Sequence, residues 1–550
     1  LIRRSLKRRF YGNRNLNRLF KLKNKYSDAE VYRCFGMRLK LQDILLIGIG
    51  FLLLCNRAIP IDCSSLWQLG TLFLVYIAIR ILPKKSYPVL LLVVCLSGAV
   101  ETAVAVLQNF HYWESNHHVF AVTGTFGNPG PLGGFLATCF IVSVSLFRAN
   151  GGKLNIYCRI LCVILIIFIA YGLVLTSSRA GWLAALIGVL FLFCSRYPLS
   201  CRMKILVCTV VGVFIVALYF LKVDSANGRL FIWRNTWEMI KDSPIRGTGT
   251  GGWLANYMHY QANYFMQHPD SVYASLADNV FYPYNEILHF VAEQGAIGLL
   301  CLLSLFYALL GKRSNNNVEW GVQGALVSFI VFSCFSYPAD IFRLQILFVS
   351  MMGMMRGRQF NIAVSQKMIR VTVGLIVLSV VSISGWSFVL YQRTSSEIKH
   401  TTFCPDSLFL ANRFPLFRYN PQLMYYYSQR CVVNKCPTDN TLQILQSTSS
   451  IVPTCELYCD IGDIWLLKKD TTQAEMCYHI AASMLPYRLT PKYKTFLLYV
   501  NQGNRKSAID IGEKILNQPI KKEGTKTLRI KAEIIQYMQN CRESVNNTKE

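Results

Sequence analysis

Four short stretches hold most of the side chains that could do chemistry, and each stands at one end of a long apolar run. TSSRAG (176–181) places Arg179 between two apolar runs with almost no loop. A guanidinium beside hydrocarbon must snorkel, pair or hold an anion, because an unpaired charge there is costly. NGRLFIWRNTWEMIKDSP (227–244) reads as an amphipathic helix with Asn227 as its cap and Pro244 beyond its end. Arg229, Trp233 and Trp237 recur at spacings of four on one face, with Arg234, Glu238 and Lys241 on another. Such a helix would lie on the outer leaflet with its Trp side inward. It continues into RGTGTGG (246–252), flexible enough to wrap phosphate oxygens with backbone N–H groups. YNEILHFVAEQGAIG (284–298) puts Glu286, His289 and Glu293 on one helical side, at spacings of three and four. GTFGNPGPLGG (124–134), with Asn128 inside it, gives a tight re-entry into a helix whose first N–H groups can hold an anion. Glu101 and Gln108, in the apolar run before it, point polar groups toward the same outer side.

Arginine is suited to bidentate contact with phosphate oxygens. Arg179, Arg229 and Arg234 are therefore the candidate clamp for an anionic lipid headgroup such as a diphosphate. Glu286, His289 and Glu293, ionisable groups at the top of a span, are functional candidates by default, and Glu101, Asn128 and Glu293 support the site. Neither a metal nor a cofactor is expected. Each stretch also has a plainer reading: a turn at 124–134, snorkelling at Arg179, capping and packing at 284–298.

The elements that must position these groups are membrane helices. The chain has 550 residues, 53% hydrophobic and 16% charged, far less charge than a soluble chain of this length carries. Apolar runs lie near 41–57, 66–82, 87–107, 131–147, 157–176, 180–195, 203–221, 287–310, 319–337, 341–356 and 368–391. Several approach the short limit of about 17 residues for a crossing. The expected fold is all-α: a polytopic bundle of about eleven spans over 41–391, interrupted by a large outer loop at 222–286, with a soluble helical domain at 392–550.

With the N-terminus placed in the cytoplasm, the short inner gaps carry Lys84 and Lys85, Arg148 and Lys153, Arg196, Arg202 and Lys204, Lys312 and Arg313, and Arg356, Arg358, Lys367 and Arg370. This is the positive-inside pattern, and an odd number of spans keeps it. It puts the 222–286 loop and the C-terminal domain outside the cytoplasm. The formal charge of +28 is thereby explained by topology and anionic headgroups, with no nucleic-acid partner. Residues 1–40 form a basic arm; Met37 offers a natural start just before the first apolar run, so the residues ahead of it read as an upstream extension.

In the tail, 455–488 fits one 34-residue tetratricopeptide unit. Gly462, Trp465, Ala474, Tyr478, Ala481 and Pro486 occupy the small, aromatic and Pro positions of a helix pair. A weaker copy follows, with Phe496, Tyr499, Ala508 and Gly512 in the corresponding slots. A short α-solenoid of this kind either binds a protein partner or packs on its own membrane domain. The tail cysteines Cys404, Cys431, Cys436, Cys455, Cys459, Cys477 and Cys541 would form disulfides in an oxidising compartment or remain free thiols. A zinc site is disfavoured, since His479 is the only nearby histidine of suggestive spacing.

The order of these pieces resembles the O-antigen ligase / O-antigen polymerase superfamily. The matching stretches are 124–134, TSSRAGW (176–182), GRLFIWRNTWEMIKDSPIRGTGTGGW (228–253) and NEILHFVAEQGAIG (285–298), and the tetratricopeptide-like tail resembles members from Bacteroidetes-type bacteria. The resemblance implies a metal-independent, inverting glycosyltransferase of the bacterial inner membrane. Its donor would be a glycan on undecaprenyl diphosphate, presented at the periplasmic face. A ligase would pass it to a lipid A–core hydroxyl; a polymerase would pass it to another repeat unit. The family's two diphosphate-holding arginines map to Arg179 and Arg229. Ligases commonly carry His immediately before the Asn of the fourth stretch; here it is Tyr284, a poor base at neutral pH with an ordinary pKa of about 10. Glu286 is the nearest substitute base, then His289 or Glu293, and the catalytic set is Glu286, Tyr284, Asn285 and His289. A polysaccharide transporter and a non-catalytic assembly factor are the readings of other classes.

Overall fold

The computed structural model describes residues 40–149, 156–197, 200–312, 314, 316–355, 366–400, 414–519 and 524–547. The basic arm before Lys40, Met37 within it, and Cys404 lie outside the described residues. Among the described residues the chain is all-α, with one isolated parallel bridge between Arg57 and Thr250.

Every apolar run becomes a helix: α1 (Leu41–Cys55), α2 (Cys63–Ile81), α3 (Tyr87–Asn109), α4 (Pro129–Ala149), α5 (Ile156–Leu175), α6 (Arg179–Cys194) and α7 (Cys201–Phe220). The outer loop contributes α8 (Val223–Asp242) and α9 (Gly252–Gln267). The bundle resumes with α10 (Glu286–Leu310), α11 (Asn317–Ser333), α12 (Phe342–Met354) and α13 (Gln366–His400). By length and composition, α2, α3, α4, α7, α10 and α13 can each cross a membrane. α1, α6, α12 and the Arg159–Leu175 part of α5 are shorter apolar helices of 10–17 residues. The last helix continues to His400 without a break at the expected boundary near 391.

α4 is the centre of the bundle and packs on α3, α5, α6 and α11. Association inside a bilayer rests on close van der Waals contact, which small residues permit. Gly181 of α6 lies on the backbone of Gly133 of α4, where an added Cβ would sit 2.7 Å from the Gly133 carbonyl oxygen. Around this contact Leu132, Leu136, Ile141, Trp320 and Phe332 are fully buried. A second group joins α2 to α12 and α13, with the Trp67 ring between Phe342 (4.8 Å) and Phe388 (5.4 Å).

Polar contacts sort the helix ends into two sets. At one end of the bundle the Lys40 ammonium donates to the Met355 carbonyl, the Arg80 guanidinium meets the Asp43 carboxylate at 2.6 Å, and Trp320 donates to Ser195. At the other end gather Glu101, the 124–134 stretch, Arg179 and the outer loop. This is the alternation that short connections between antiparallel helices require.

The tail forms helix hairpins: α14 (Pro421–Val433) with α15 (Thr438–Ser449), α16 (Cys455–Leu467) with α17 (Thr471–Met484), and α18 (Leu489–Asn501) with α19 (Arg505–Asn517), followed by α20 (Thr525–Asn547). Within 455–488, Gly462 of α16 faces the Tyr478 ring of α17, where a Cβ would meet a ring carbon at 2.4 Å. The α14–α15 hairpin carries no signal that the sequence reading picked up.

The tail packs on the outer loop. Gln261 of α9 donates to the Met484 carbonyl (2.9 Å), the Asn279 amide donates to Glu456 (2.6 Å), and the Cys455 N–H donates to Asn279 Oδ1 (3.2 Å). Met258 and Ala262 of α9 share one buried cluster with Cys455, Cys459, Ala481 and Met484. Further along, Asn420 donates to Asp62, the cap of α2.

Candidate functional site

Arg179 opens α6. Ser177 takes a left-handed backbone (φ 51°) and Ser178 caps the helix by accepting from Gly181 N–H, so the chain reverses within the TSSR stretch. The guanidinium then crosses to the end of α7 and donates to the carbonyls of Leu218 (2.9 Å) and Lys222 (3.2 Å) and to the Ser225 hydroxyl (3.1 Å). Cations favour the unsatisfied carbonyls of a helix C-terminus, so the side chain is held, not merely snorkelling.

α8 delivers Arg229 to the same place. The helix begins at Val223, and Asn227 does not cap it; its side chain accepts from the Tyr219 hydroxyl at 2.8 Å. Its buried face is Phe231, Ile232, Asn235, Thr236, Met239 and Ile240, turned into the protein, while Trp237 stays exposed. The Arg229 guanidinium donates to the Phe335 carbonyl (2.9 Å) and lies 5.1 Å from the centre of the Tyr284 ring. Burial, and then the positive charge of Arg179, hold it below the usual guanidinium range. Neither arginine has a carboxylate partner among the described residues.

Arg179 and Arg229 line one cavity of about 260 Å³ whose other walls include Leu183, Ile215, Leu218, Leu230, Trp233 and Phe335. Two cations without counter-ions thus face an otherwise apolar chamber at the outer ends of α6 and α7. Arg234 is not part of it. Five residues beyond Arg229 on a helix, it turns to the other side and lies over the Tyr264 ring at 4.9 Å.

The glycine-rich stretch 246–252 does not offer its backbone to an anion. The N–H groups of Thr248 and Gly249 donate to the carbonyls of Ala292 and Glu293, Thr250 N–H to Asn56, and Gly251 N–H to the Glu293 carboxylate at 2.8 Å. These donors are committed to a break in α10. Gly295 leaves the helix (φ 61°, ψ −160°), and an added Cβ would meet the Ile245 carbonyl oxygen at 2.2 Å. The stretch is a plug that fills the broken helix and holds Glu293 (8% exposed) at the start of α9.

That break sets the register of the carboxylates. Asn285 caps α10 by accepting from the Ile287 and Leu288 N–H groups, both at 3.1 Å. His289 lies between two carboxylates, Nδ1 at 3.4 Å from Glu286 and Nε2 at 3.4 Å from Glu293. The other Glu286 oxygen accepts from Ala339 N–H at 2.9 Å. Tyr284 is held in a left-handed conformation (φ 55°) with its ring edge-on to Tyr337 at 5.4 Å. Burial raises its phenol pKa, with Arg229 opposing, so the hydroxyl keeps its proton at neutral pH.

Asp340 completes the group, and sequence reasoning missed it. Its carboxylate approaches Glu286 and His289 so that one ligand atom from each lies within 4.8 Å of the others. That spacing fits a shared-proton network and could equally be bridged by a divalent cation. The residue keeps contact with solvent, yet surrounding protein and then the Glu286 charge push its carboxyl up to about 7. Asp340 belongs to the connection between α11 and α12, which sequence reading treated only as a short outer gap. Phe335, Tyr337, Ala339 and Asp340 of this connection touch Arg229, Tyr284, Glu286 and His289 in turn. A carboxylate and two aromatics within one eight-residue outer gap were the available signal.

At the remaining outer edge, Glu101 accepts from the Thr125 N–H (2.9 Å) and hydroxyl (2.5 Å), and Gln108 holds the Thr123 and Gly124 N–H groups. Asn128 accepts from Gly130 N–H at 2.9 Å at the start of α4. The stretch is thus an ordered turn tied to α3. Arg343 of α12, also absent from the sequence-level site, donates to the Thr125 hydroxyl.

The family model described as O-Antigen ligase matches residues 162–303. The matched segment runs from α5 into α10 and contains Arg179, Arg229, Arg234 and the 284–298 stretch. No curated protein matches the chain.

Proposed function

We propose that this chain, an O-antigen ligase superfamily membrane protein whose family domain spans residues 162–303, transfers a glycan from undecaprenyl diphosphate to an acceptor hydroxyl of lipid A–core at the periplasmic face of the inner membrane. The observation that carries this reading is the shared cavity in which Arg179 and Arg229 stand without carboxylate partners among the described residues. Two unneutralised guanidinium groups complement a diphosphate, and the apolar wall of Leu183, Ile215 and Leu218 suits the first units of a prenyl chain.

In the reaction the acceptor oxygen forms a bond to the anomeric carbon as the bond from that carbon to the diphosphate oxygen breaks. Attack from the face opposite the leaving group inverts the centre. The negative charge that grows on the departing lipid diphosphate is met by Arg179 and Arg229. The hydroxyl proton passes to the carboxylate group of Glu286 and Asp340; the Asp340 carboxyl, pushed up to about 7, suits a general base. His289 fixes the Glu286 rotamer through Nδ1, and Asn285 fixes the start of the helix that carries both. Tyr284, keeping its proton, is a ring surface beneath Arg229 and a hydrogen-bond donor. The step needs neither a metal nor a cofactor.

The orientation follows the positive-inside pattern: N-terminus in the cytoplasm, tail in the periplasm. The disulfide-bonded state of Cys436 supports an oxidising compartment for the tail. The hairpins are read as a tetratricopeptide-like solenoid; since its α16–α17 face is occupied by the outer loop, a protein partner would use the remaining surface.

The test is the glycan profile of a deletion strain complemented with the wild type or Arg229→Ala. Free lipid A–core with accumulated full-length lipid-linked polymer is expected of a ligase. Accumulated single repeat units would mark a polymerase, which uses the same groups on another acceptor. An unchanged profile would remove the transferase reading and favour transport or assembly. A chelator should leave transfer by the purified chain intact.

A further inference from the structure

Arg343 is a cation of the outer face that is both pinned and open. Its guanidinium lies over the Phe126 ring at 5.2 Å, donates to the Thr125 hydroxyl, and stands 3.9 Å from Glu101. Thr125 in turn donates its hydroxyl proton to Glu101 at 2.5 Å. These contacts fix the plane of the guanidinium, yet its side chain is 55% exposed and one N–H is engaged in a hydrogen bond among the described residues. A guanidinium has five N–H donors, so most of the fork is available in a set direction. Glu101, at 3.9 Å and already engaged with Thr125, weakens the charge without closing the fork.

The connection from α11 to α12 gives this arginine its place in the reaction. Phe335 accepts from Arg229, Asp340 and Ala339 meet Glu286, and Arg343 follows three residues after Asp340. Three residues span at most about 10 Å. Along this connection the carboxylate contacts therefore fall between the contact to Arg229 and Arg343. An inverting transfer has that order, with the leaving diphosphate, then the reacting centre and base, then the acceptor.

Building on the transferase reading, we propose that Arg343, with the Phe126 ring and the Thr125 turn, forms an acceptor subsite. It binds an anionic sugar, carboxylate or phosphate, close to the hydroxyl that attacks. Arg343 sets acceptor specificity and takes no part in leaving-group stabilisation.

The experiment uses the full chain in nanodiscs and direct binding. One probe is farnesyl diphosphate; the others are a glucuronate-terminated disaccharide, the same disaccharide ending in glucose 6-phosphate, and its neutral glucose form. The wild type should bind one or both anionic disaccharides at least about tenfold more tightly than the neutral one, and the stronger arm identifies the anion. Arg343→Ala and Arg343→Gln should erase that preference and leave farnesyl diphosphate affinity unchanged, and Arg343→Lys should restore part of it. The proposal is overturned if the wild type shows no preference, if the preference survives in Arg343→Ala and Arg343→Gln, or if Arg229→Ala erases it instead. Farnesyl diphosphate binding that is insensitive to Arg229→Ala would sink the clamp reading alone.

Discussion

Replacing Arg229 by alanine should move catalysis and stability in opposite directions. In the folded chain this guanidinium is largely buried, repelled by Arg179 and without an ion pair among the described residues; its compensation there is one bond to the Phe335 carbonyl and the face of Tyr284. Its lowered pKa means that the charged form is disfavoured by folding, and at neutral pH the side chain is charged in both states. Deletion removes that penalty and loses one hydrogen bond of about 1–2 kcal/mol. The melting temperature of the unliganded protein should therefore hold or rise. Catalysis should fall, because a preorganised donor at a developing anion contributes about 2.7–4 kcal/mol, or a loss of about 10²–10³ in kcat. Arg229→Lys retains charge but not the planar fork and should keep about a tenth of the activity. The assay is single-turnover transfer from isolated lipid-linked donor, alongside thermal unfolding with and without farnesyl diphosphate. At about 100 Kd the ligand should stabilise the wild type by about 2.7 kcal/mol and the variant scarcely. Transfer within about threefold of wild type with ligand stabilisation intact would refute the clamp.

Asp340→Asn should reduce transfer by about 10²–10⁴ and remove a rise in rate through about pH 7, where its carboxyl ionises. The sign for stability is opposite. Between the ordinary value of 3.8 and about 7 the folded chain alone holds this proton, so wild-type stability declines as pH rises across that window, and the variant should lack the decline. Gly295→Ala must place a Cβ against the Ile245 carbonyl at positive φ; it should cost at least about 2 kcal/mol in unfolding experiments and abolish transfer by shifting Glu286 and His289. Glu456→Ala should cost about 1.5–3 kcal/mol by stripping the Asn279 amide of its charged acceptor, read as faster protease nicking of the 268–285 loop.

The helices, and all but a few of their ends, were legible in the sequence alone. Runs of apolar side chains leave the backbone no option but internal hydrogen bonding, so each run became a helix within a few residues. Pro, Gly and Ser placed the turns at 176–178 and 124–130. The residues alone grouped Arg179, Arg229 and Arg234, and it was the family resemblance that singled out Arg179 and Arg229. Local pattern failed where a group's partner is distant in the chain. The 246–252 glycines read as a phosphate cradle, yet their donors meet α10 some 45 residues later. Arg234 has the same composition signal as Arg229, and helical phase on a packed α8 sent it to Tyr264. Asp340 and Arg343 carry no motif at all. They enter the site because α11 packs on α4 and beside α10, and only that packing brings the connection that follows it against Glu286 on one side and Thr125 on the other. Secondary structure answers to neighbours in sequence, whereas the charge balance of a site answers to neighbours in space.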